Sequence, residues 1–568
     1  MFLLIRNIFL GQNLFQLKDM IKEILYFILL FQIIIVQPSN AQRKDKIAKR
    51  NIYSNSKALD ANQIQMYFNN KGVLDDQNGF AACYWKQIPG HSIIVYNHGI
   101  WIVGKINDTL HLGISEWNSN YSPGPIINGQ AAMNTNPADS LKYRVYKINK
   151  ADDSSNRDYA EWPIQWGAPA TSGGLPLVLG DQTLFSVYNS ADTSQMRWWF
   201  SSTPFLPTDF EIQQTAFARN GNVKDNKDIF ANTVFLEWTI INKGNKQIDS
   251  AYIGFWTDID FFNAWDNPAE VDTALQLGYC WYYDSTYYDF RPYTPPAVGY
   301  VLLYGPKVYS PVNTAIFKGK QLANFTNLSM TSFHAIRDDA EQNSLQCNVI
   351  SLDQVWNVAR GFDYAGNIII DSSTNKPTKF PFAGDPITNT GYVNNTNTGG
   401  GAGFVFFSGP FNFTPSDTQW IMAALIPAEG NNRFESIKLM REKAAILRSL
   451  PYDTLAFGKN PIALNYIDST NINIDSSTII PVSFNLAQNY PNPFNAGTII
   501  KYDVIIKSYV SLIVYDILGR KISELVKEEK EPGKYSVSFV GENLSSGIYF
   551  YQLKAGNYNS TKKMILLK

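Results

Sequence analysis

Five acidic side chains lie close together near the middle of the chain. Asp258 and Asp260 follow an apolar segment, and Asp266, Glu270 and Asp272 come soon after. Proteins bind Ca²⁺ through about six to eight oxygen ligands, and clustered carboxylates can supply several of them. Carboxylates this close repel one another unless a cation or backbone donors neutralise them. Three interpretations are therefore open: a solvated acidic turn, a structural calcium ion that rigidifies the loop, and a pair of catalytic carboxylates.

The spacing of these acidic residues differs from that of an EF-hand loop. Counted from Asp258, the sixth position is Asn263, where an EF-hand needs Gly, and the twelfth is Ala269, where it needs Glu. If the chain holds a cofactor, we therefore expect structural Ca²⁺ in another geometry, and we predict no other cofactor.

An aromatic segment follows the acidic residues. Trp281, Tyr282 and Tyr283 stand in a row, and further aromatic residues continue to Tyr293. Exposed rings of this kind can stack on sugar faces or anchor an interface. Rings on both sides of a strand pack in a core instead. The segment is a candidate ligand platform, with core packing as the alternative.

Other catalytic chemistry has little support in the sequence. The chain has four histidines and contains no HExxH, GxSxG or Walker-type motif. A glycosidase needs only two carboxylates at a suitable distance, which one sequence does not reveal. We therefore predict a non-enzymatic protein, with a secreted polysaccharide hydrolase as the alternative.

The elements that position these residues are expected to be short strands. Aromatic residues make up 14% of the chain, which favours strands over helical bundles. Residues 234–241 (VFLEWTII) predict a strand, residues 242–245 a turn, and residues 251–256 a returning strand. Together they indicate a hairpin of sandwich type. A similar feature is expected over residues 408–426.

One helix is expected near residues 433–450. Its apolar stripe has i, i+3/i+4 spacing, and Pro451 stops it. The stripe consists of Ile437, Met440, Ala444 and Leu447. We predict an all-β fold of several β-sandwich modules that carries this one helix.

Charge and cysteine content limit the partners. The formal net charge is −1, which gives no electrostatic case for nucleic acid or an anionic membrane surface. Cys83, Cys280 and Cys347 lie far apart, so neither a disulfide framework nor a zinc knuckle follows from them. One bridge could form in an oxidising envelope, and the sequence does not select the pair.

The last part of the chain has the pattern of a separate β-module. Residues 510–515 and 548–553 alternate with the two-residue period of a strand. Gly519 stands at a reversal where a positive φ is expected. Pro491 and Pro493 cannot donate to a sheet and belong before its first strand or at an edge. Short strands separated by turns predict a small β-sandwich over residues 481–568.

These residues resemble the type A C-terminal sorting domain of proteins exported by the type IX secretion system. Four landmarks follow in the family's order: NYPNPFN at 489–495, VYDILGR at 514–520, SSGIYF at 545–550 and KKMILLK at 562–568. The positions assigned to the sorting motif are Asn489, Tyr490, Pro491, Asn492, Pro493, Phe494, Gly519, Gly547, Lys562 and Lys563. The resemblance implies an Ig-like domain of seven strands that the type IX machinery recognises. It also implies a protein that crosses the periplasm and is secreted or attached to the outer-membrane surface.

The first residues are typical of a secretory signal. Residues 24–36 are apolar except for Gln32, and as a helix they rise about 20 Å, short of the roughly 30 Å hydrocarbon core. Ser39-Asn40-Ala41 gives the small-x-small pattern of a cleavage site. We predict a signal peptide over residues 1–41, with Met20 as the more natural start and a membrane anchor as the alternative. No other stretch has the length of a transmembrane span.

Between these ends we place a β-rich region over residues 42–225, a β-sandwich region over 226–452 and a linker over 453–480. Short phrases in the first two regions resemble large secreted proteins with the same tail. They are GIWIVGK at 99–105, DYAEWP at 158–163, GDQTL at 180–184 and GDP at 384–386. That resemblance implies a β-rich exported cargo and does not indicate a substrate. We expect the cargo to bind a glycan or a surface protein, in a binding or adhesion role.

Overall fold

The structure is a computed structural model. It describes residues 55–74, 82–85, 93–117, 119–135, 137–192, 208–221, 228–261, 267–283, 294–337, 346, 349, 351–394, 402–458, 484–489, 491–504, 507–531, 533–541, 544–556 and 558–567. The predicted signal peptide lies outside these residues, as do Asp266, Cys347 and Tyr490. We call residues 55–458 the cargo and residues 484–567 the C-terminal module.

The cargo consists mainly of strands. Its first strands are β1 (Ser56–Leu59), β2 (Ile64–Asn69), β3 (Cys83–Trp85), β4 (Ile93–Val95), β5 (Asn97–Ile106), β6 (Thr109–Gly113), β7 (Ser122–Pro123), β8 (Ile126–Ile127), β9 (Gln130–Ala131), β10 (Tyr146–Asn149), β11 (Gln182–Asn189) and β12 (Phe210–Ala218). Those that follow are β13 (Val234–Asn242), β14 (Ile248–Asp258), β15 (Ala269–Asp272), β16 (Leu277–Trp281), β17 (Ala297–Tyr304), β18 (Lys307–Phe317), β19 (Lys320–Asn327), β20 (Ser332–Arg337), β21 (Ile369–Asp371), β22 (Lys376–Thr378), β23 (Ala402–Phe413) and β24 (Thr418–Leu425).

Helices are few in the part of the cargo that the structure describes, and all but one of them are short. They are α1 (Ala132–Thr135), α2 (Arg157–Ala160), α3 (Leu352–Ala359), α4 (Arg433–Ser449) and α5 (Tyr452–Phe457), with 3₁₀ turns at Pro137–Lys142, Ile164–Trp166 and Ile229–Asn232. Within the described ranges, we find no helix with both the length and the apolar character that a bilayer crossing requires.

Two large antiparallel sheets form the centre of the described cargo. One has the strand order β10-β11-β12-β13-β24-β17-β16-β15, with β7 beside β11, and the other has the order β20-β23-β14-β5-β6. Their inner faces meet: Leu236 and Trp238 of β13 lie in one buried cluster with Ile253 and Phe255 of β14. The rings of Trp238 and Phe255 have centroids 5.4 Å apart. The predicted all-β sandwich fold is confirmed.

The outer faces of both sheets are covered as well. On the first sheet, Trp420 and Met422 of β24 pack with Ile437 and Met440 of α4. On the second sheet, residues of β5 and β23 pack against α3. A strand that is buried on both faces is apolar at nearly every position. This explains why residues 234–241 are apolar except for Glu237 and Thr239.

The helix α4 is the one that the sequence predicts near residues 433–450. The Asn432 side chain caps it, because its Oδ1 accepts from the backbone N of Phe434 and of Glu435, each at 3.0 Å. The predicted apolar stripe is fully buried. The structure adds α3 and α5, which are too short to give a helical period in the sequence.

The two predicted hairpins are wrong. The strands β13 and β14 follow each other but lie in different sheets, and so do β23 and β24. Each connection is an arch that crosses the sandwich, and the arches run side by side because β13 pairs with β24 and β14 with β23. In this arrangement the inner faces of successive strands bury each other. A hairpin would set the strands edge to edge and leave those faces uncovered.

The side chain of Asn242 ties the two arches together. Its Nδ2 donates to the backbone O of Lys246 at 3.0 Å, within its own arch, and to the backbone O of Phe413 at 2.9 Å, in the other. The backbone N of Ser416 donates to the O of Asn242 at 2.8 Å. These bonds satisfy the backbone groups that a crossing between sheets would leave unpaired.

The predicted boundary between residues 225 and 226 lies between strands of one sheet. The strands β11 and β12 precede it and share a sheet with β13, and β5 pairs with β14. Neither segment could bury the inner faces of its strands alone. The first residues of the predicted linker belong to α5, in which Leu455 and Ala456 are buried.

The C-terminal module has its own strands and its own core. The strands are β25 (Asn485–Leu486), β26 (Gly497–Val504), β27 (Ser508–Asp516), β28 (Lys521–Lys530), β29 (Gly533–Val540), β30 (Gly547–Ala555) and β31 (Tyr558–Leu566). They form the sheets β25-β26-β29 and β28-β27-β30-β31 within the described residues. The predicted alternation is confirmed, with Val510, Leu512 and Val514 fully buried.

Candidate functional site

The nominated acidic residues that the structure describes lie around β16, at the end of β14 and on β15. Asp258 ends β14, where it lies opposite Asn97 of β5 and Gly403 of β23, and Asp260 follows it. Burial raises the pKa of the Cys280 thiol, and nearby carboxylates, among them Asp260 and Asp258, raise it further. Cys280 and Cys83 are buried free thiols. These two acids therefore lie beside the buried end of β16.

Glu270 and Asp272 of β15 lie near a cation of the chain itself, Arg441 of α4. Arg441 Nε is 3.4 Å from Asp272 Oδ2, and its Nη1 is 2.8 Å from Asp385 Oδ1. Its Nη2 donates to the hydroxyl of Tyr279 at 2.9 Å. A guanidinium in this position neutralises the carboxylates around it.

Burial changes the acidity of these carboxyls. Glu270 is fully buried, which raises its pKa well above the ordinary value, although its Oε1 accepts from the backbone N of Asn394 at 3.1 Å. Burial also raises the pKa of Asp272, in spite of Arg441. Burial acts in the same direction on Asp385, but hydrogen bonds from Arg441 and Thr388 lower its pKa overall. The three acids thus belong to one charged network that includes its own cation.

The calcium site stays a prediction. Among the described residues, no group of three or more His, Cys, Asp or Glu side chains is arranged to hold a metal ion, and Asp266 lies outside those residues. Arg441 accounts for how Asp272 is neutralised without a bound metal ion. The sequence did not indicate this residue, because nothing in its local pattern links α4 to β15.

The candidate aromatic platform lies mostly in the interior. Trp281 is 3% exposed and Tyr282 is fully buried, while Tyr283 is half-buried. The Trp281 ring packs on Phe434 of α4, with centroids 5.9 Å apart. This burial supports the alternative that we gave, core packing. The aromatic residues from 284 to 293 lie outside the described residues.

The histidine in the core of the sandwich is His98. His98 of β5 is fully buried, and its Nδ1 lies 3.2 Å from the hydroxyl of Tyr300. Burial lowers the pKa of His98 to about 3, so the ring is neutral. Its neighbours are rings of the sandwich core, including Phe255 and Trp238. His98 therefore serves packing.

An exposed aromatic surface occurs elsewhere, on the β18–β19 hairpin. Tyr309 of β18 is 70% exposed and pairs across the hairpin with Phe325 of β19, so both rings lie on one face. The rings meet edge to face, with centroids 6.1 Å apart. Together with Val308 and Pro410 they line a cavity of about 550 Å³, which we call the hairpin groove. Sequence reasoning missed this surface.

The hairpin groove also has polar lining residues. They are Ser250, Lys307, Asn412, Asp417 and Gln419. Lys307 Nζ is 2.8 Å from Asp417 Oδ1, and Gln419 Nε2 donates to Asp417 Oδ2 at 3.0 Å. The backbone N of Lys307 donates to Gln419 Oε1 at 2.9 Å. A closed polar network thus lines the groove together with the aromatic pair.

The short phrases that resemble other secreted proteins occupy structural positions. In DYAEWP, Asp158 Oδ1 accepts from Arg144 at 3.1 Å, and the Trp162 indole donates to the backbone O of Pro169 at 2.8 Å. In GDQTL, Gly180 has a φ of +66°, and an added Cβ would lie 2.4 Å from the backbone O of Ala218. These phrases therefore specify packing and turns.

The sorting-motif residues, spread along the C-terminal module, partly converge in space. The backbone N of Phe494 donates to the O of Ile565 at 2.9 Å, and Asn492 Oδ1 accepts from the N of Ile565 at 2.9 Å. The backbone N of Asn489 donates to the hydroxyl of Tyr551 at 2.8 Å. The box at 489–495 is therefore fixed to β31, the strand that carries Lys562 and Lys563.

A second landmark of the C-terminal module is an exposed turn between β27 and β28. Asp516 Oδ1 accepts from the backbone N of Leu518 and of Arg520, each at 2.9 Å. Gly519 has a φ of +76°, which confirms the expected positive φ. Ile517 and Leu518 at its tip are 68% and 73% exposed. Gly547, by contrast, begins β30 without a positive φ.

Comparison with known families identifies the C-terminal module. The family described as "Secretion system C-terminal sorting domain" matches residues 488–567. The chain thus carries a type IX sorting domain. It is exported and is secreted or attached to the cell surface. A comparison with curated proteins finds no match.

Solved structures give weak likenesses to the chain. A polysaccharide lyase is 8% identical with a TM-score of 0.26, over 91% of this chain and 46% of the lyase, so the chain spans about half of its length. Latent PorU from Porphyromonas gingivalis is 11% identical with a TM-score of 0.14, over 62% of this chain and 26% of PorU. The adhesin domain of Epf from Streptococcus pyogenes is 6% identical with a TM-score of 0.13, over 65% of this chain and 95% of that domain. At these scores the likenesses carry no argument about function.

Proposed function

We propose that the protein is a non-enzymatic cargo of the type IX secretion system that binds a ligand in the hairpin groove after export. The proposal rests on an aromatic pair, the exposed Tyr309 and the half-buried Phe325, that lines the groove together with a polar network. A ligand site combines apolar surface with a few placed polar groups, in a volume of about 300–1,000 Å³. The groove meets both conditions.

The acidic network supports a structural role more than a catalytic one. Asp272 and Asp385 share the guanidinium of Arg441, and Glu270 is closed off from solvent. A glycosidase instead needs two carboxyls that both reach the substrate. The hydrolase alternative stays a prediction that a turnover assay can test.

Export is tested by deleting residues 481–568 in the producing bacterium. We expect the shortened protein to accumulate in the periplasm, because it lacks the sorting domain. Cell fractionation and surface labelling measure this. Surface labelling of the shortened protein at the level of the full chain would contradict the assignment of the export route.

Binding and turnover are tested together on the purified full-length protein. We expect saturable binding to at least one member of a panel of soluble polysaccharides and purified surface proteins, without release of reducing ends. The variant Tyr309→Ala should lose this binding. Release of reducing ends that disappears in Asp272→Asn would favour the hydrolase. If Tyr309→Ala binds as well as the unchanged protein, the ligand does not bind in the hairpin groove.

A further inference from the structure

We infer that the ligand of the hairpin groove is an uncharged glycan chain, an inference that rests on the proposed function. The faces of a sugar ring that carry C–H groups are apolar and pack on aromatic rings, while its hydroxyls need donors and acceptors. The lining of the groove includes both kinds of surface.

The aromatic side is held in place by the hairpin. Tyr309 and Phe325 are directly opposed in the strand register, and Lys307 is opposite Asn327 two residues away on the same face. The register then breaks between Tyr309 and Thr314, where β18 carries extra residues. Bulges of this kind are frequent where a side chain must be aimed at a ligand. Tyr309 stays 70% exposed, so its ring is available for contact.

The polar side favours a neutral ligand. Two of the lining residues are charged, Lys307 and Asp417, and they neutralise each other across 2.8 Å. Lys307 Nζ also donates to the backbone O of Thr418 at 2.5 Å, which further satisfies the ammonium group. An acidic ligand would be repelled by the carboxylate of Asp417, whereas a hydroxyl can add to the pair as donor or acceptor.

The amide and hydroxyl groups around this pair complete the site. Asn412 is exposed, and its Oδ1 accepts from the backbone N of Ser250 at 3.3 Å, which leaves its amide NH₂ free to donate. Gln419 joins the backbone of Lys307 to Asp417 through its two amide atoms. A volume of about 550 Å³ suits a short stretch of a glycan better than the broad, flat surface of a typical protein interface.

The test is affinity electrophoresis of the full-length protein in gels that contain a neutral glucan, a neutral mannan or acidic polygalacturonate. We expect a neutral polysaccharide to retard the protein, with a dissociation constant that changes less than twofold between low and high salt. Tyr309→Ala should weaken binding by roughly tenfold or more, as expected for an aromatic anchor. The matched control is Tyr509→Ala in the C-terminal module, which is 56% exposed and lies outside the groove lining. It should bind like the unchanged protein.

The outcomes separate the two proposals. Retardation by polygalacturonate alone, weakened by salt, would overturn the neutral glycan. A third outcome is that a surface protein binds, that Tyr309→Ala abolishes this binding, and that no polysaccharide binds. The proposal of a ligand site in the groove would then hold, and the proposal of a glycan ligand would be wrong. If Tyr309→Ala behaves like Tyr509→Ala towards every ligand, both proposals fail. We expect a thermal melt of each variant to show that the fold is kept, because the rings of Tyr309 and Tyr509 are both mostly exposed.

Discussion

At the scale of single residues, Glu270 shows how the fold sets the acidity of a side chain. Its raised pKa in the folded protein means that the folded state keeps a proton that the unfolded chain has already lost. Stability must therefore fall as pH rises from the ordinary pKa of about 4.3 towards the raised value, by up to about 1.4 kcal/mol per pH unit. Burial also raises the pKa of Asp272, so this carboxyl adds to the fall in stability.

We predict that Glu270→Gln makes the stability of the protein less dependent on pH. The amide cannot ionise, and its Oε1 can still accept from the backbone N of Asn394. Urea unfolding from about pH 4 upward should show the two proteins diverging in favour of the variant as pH rises. The control is Glu528→Gln, an exposed glutamate whose replacement should leave the slope unchanged. Parallel curves for Glu270→Gln and the unchanged protein would contradict the prediction.

The sequence predicted the residues of this network only in part. Glu270 and Asp272 were recognised because acids cluster along the chain, whereas Arg441 and Asp385 were not. Their meeting depends on which strand lies under α4, and that information is absent from any local pattern. The same limit applies to exposure. Tyr282 and Tyr309 both lie in segments that can form strands, and the order of the strands in the sheets decides that Tyr282 is buried and Tyr309 is exposed.

At the scale of elements, the strands could be predicted and their partners could not. A strand that is apolar on both faces fits a hairpin or an arch equally well by its period. What decides is the tertiary requirement that β13 and β14 bury each other's inner faces. The polar signal for the arch is Asn242, which the sequence showed only as the start of a turn.

We predict that Asn242→Ala destabilises the cargo by about 1–3 kcal/mol, since the buried backbone carbonyl of Phe413 loses this donor and the carbonyl of Lys246 loses a hydrogen bond. The midpoint of urea unfolding should fall accordingly. Asn245→Ala in the same connection is the control, because Asn245 is exposed and should shift the midpoint little. Equal midpoints for the two variants would show that the hydrogen bonds of the Asn242 side chain contribute nothing measurable to the stability of the cargo.

At the scale of the whole molecule, the chain combines a cargo with a module that directs its export. The buried cluster of the C-terminal module draws its residues from Leu486 to Leu566, and its sheets contain no cargo strand within the described residues. Phe484 is a point of contact, since it packs against this cluster and against the one beneath α4. The C-terminal module therefore has a core of its own.

We predict that the C-terminal module can be weakened without weakening the cargo. Phe494 is 1% exposed and packs on Phe539, with centroids 6.0 Å apart, so Phe494→Ala should cost the module about 3–5 kcal/mol. Calorimetry should then show the transition of the module at a lower temperature and the transition of the cargo unchanged. Ligand binding in the groove should persist while surface display falls.

The control Ile499→Ala removes a side chain that is 47% exposed and should preserve both transitions. A cargo transition that falls together with that of the module would mean that the two share one cooperative fold, and the sorting domain would then not be separable from what it exports.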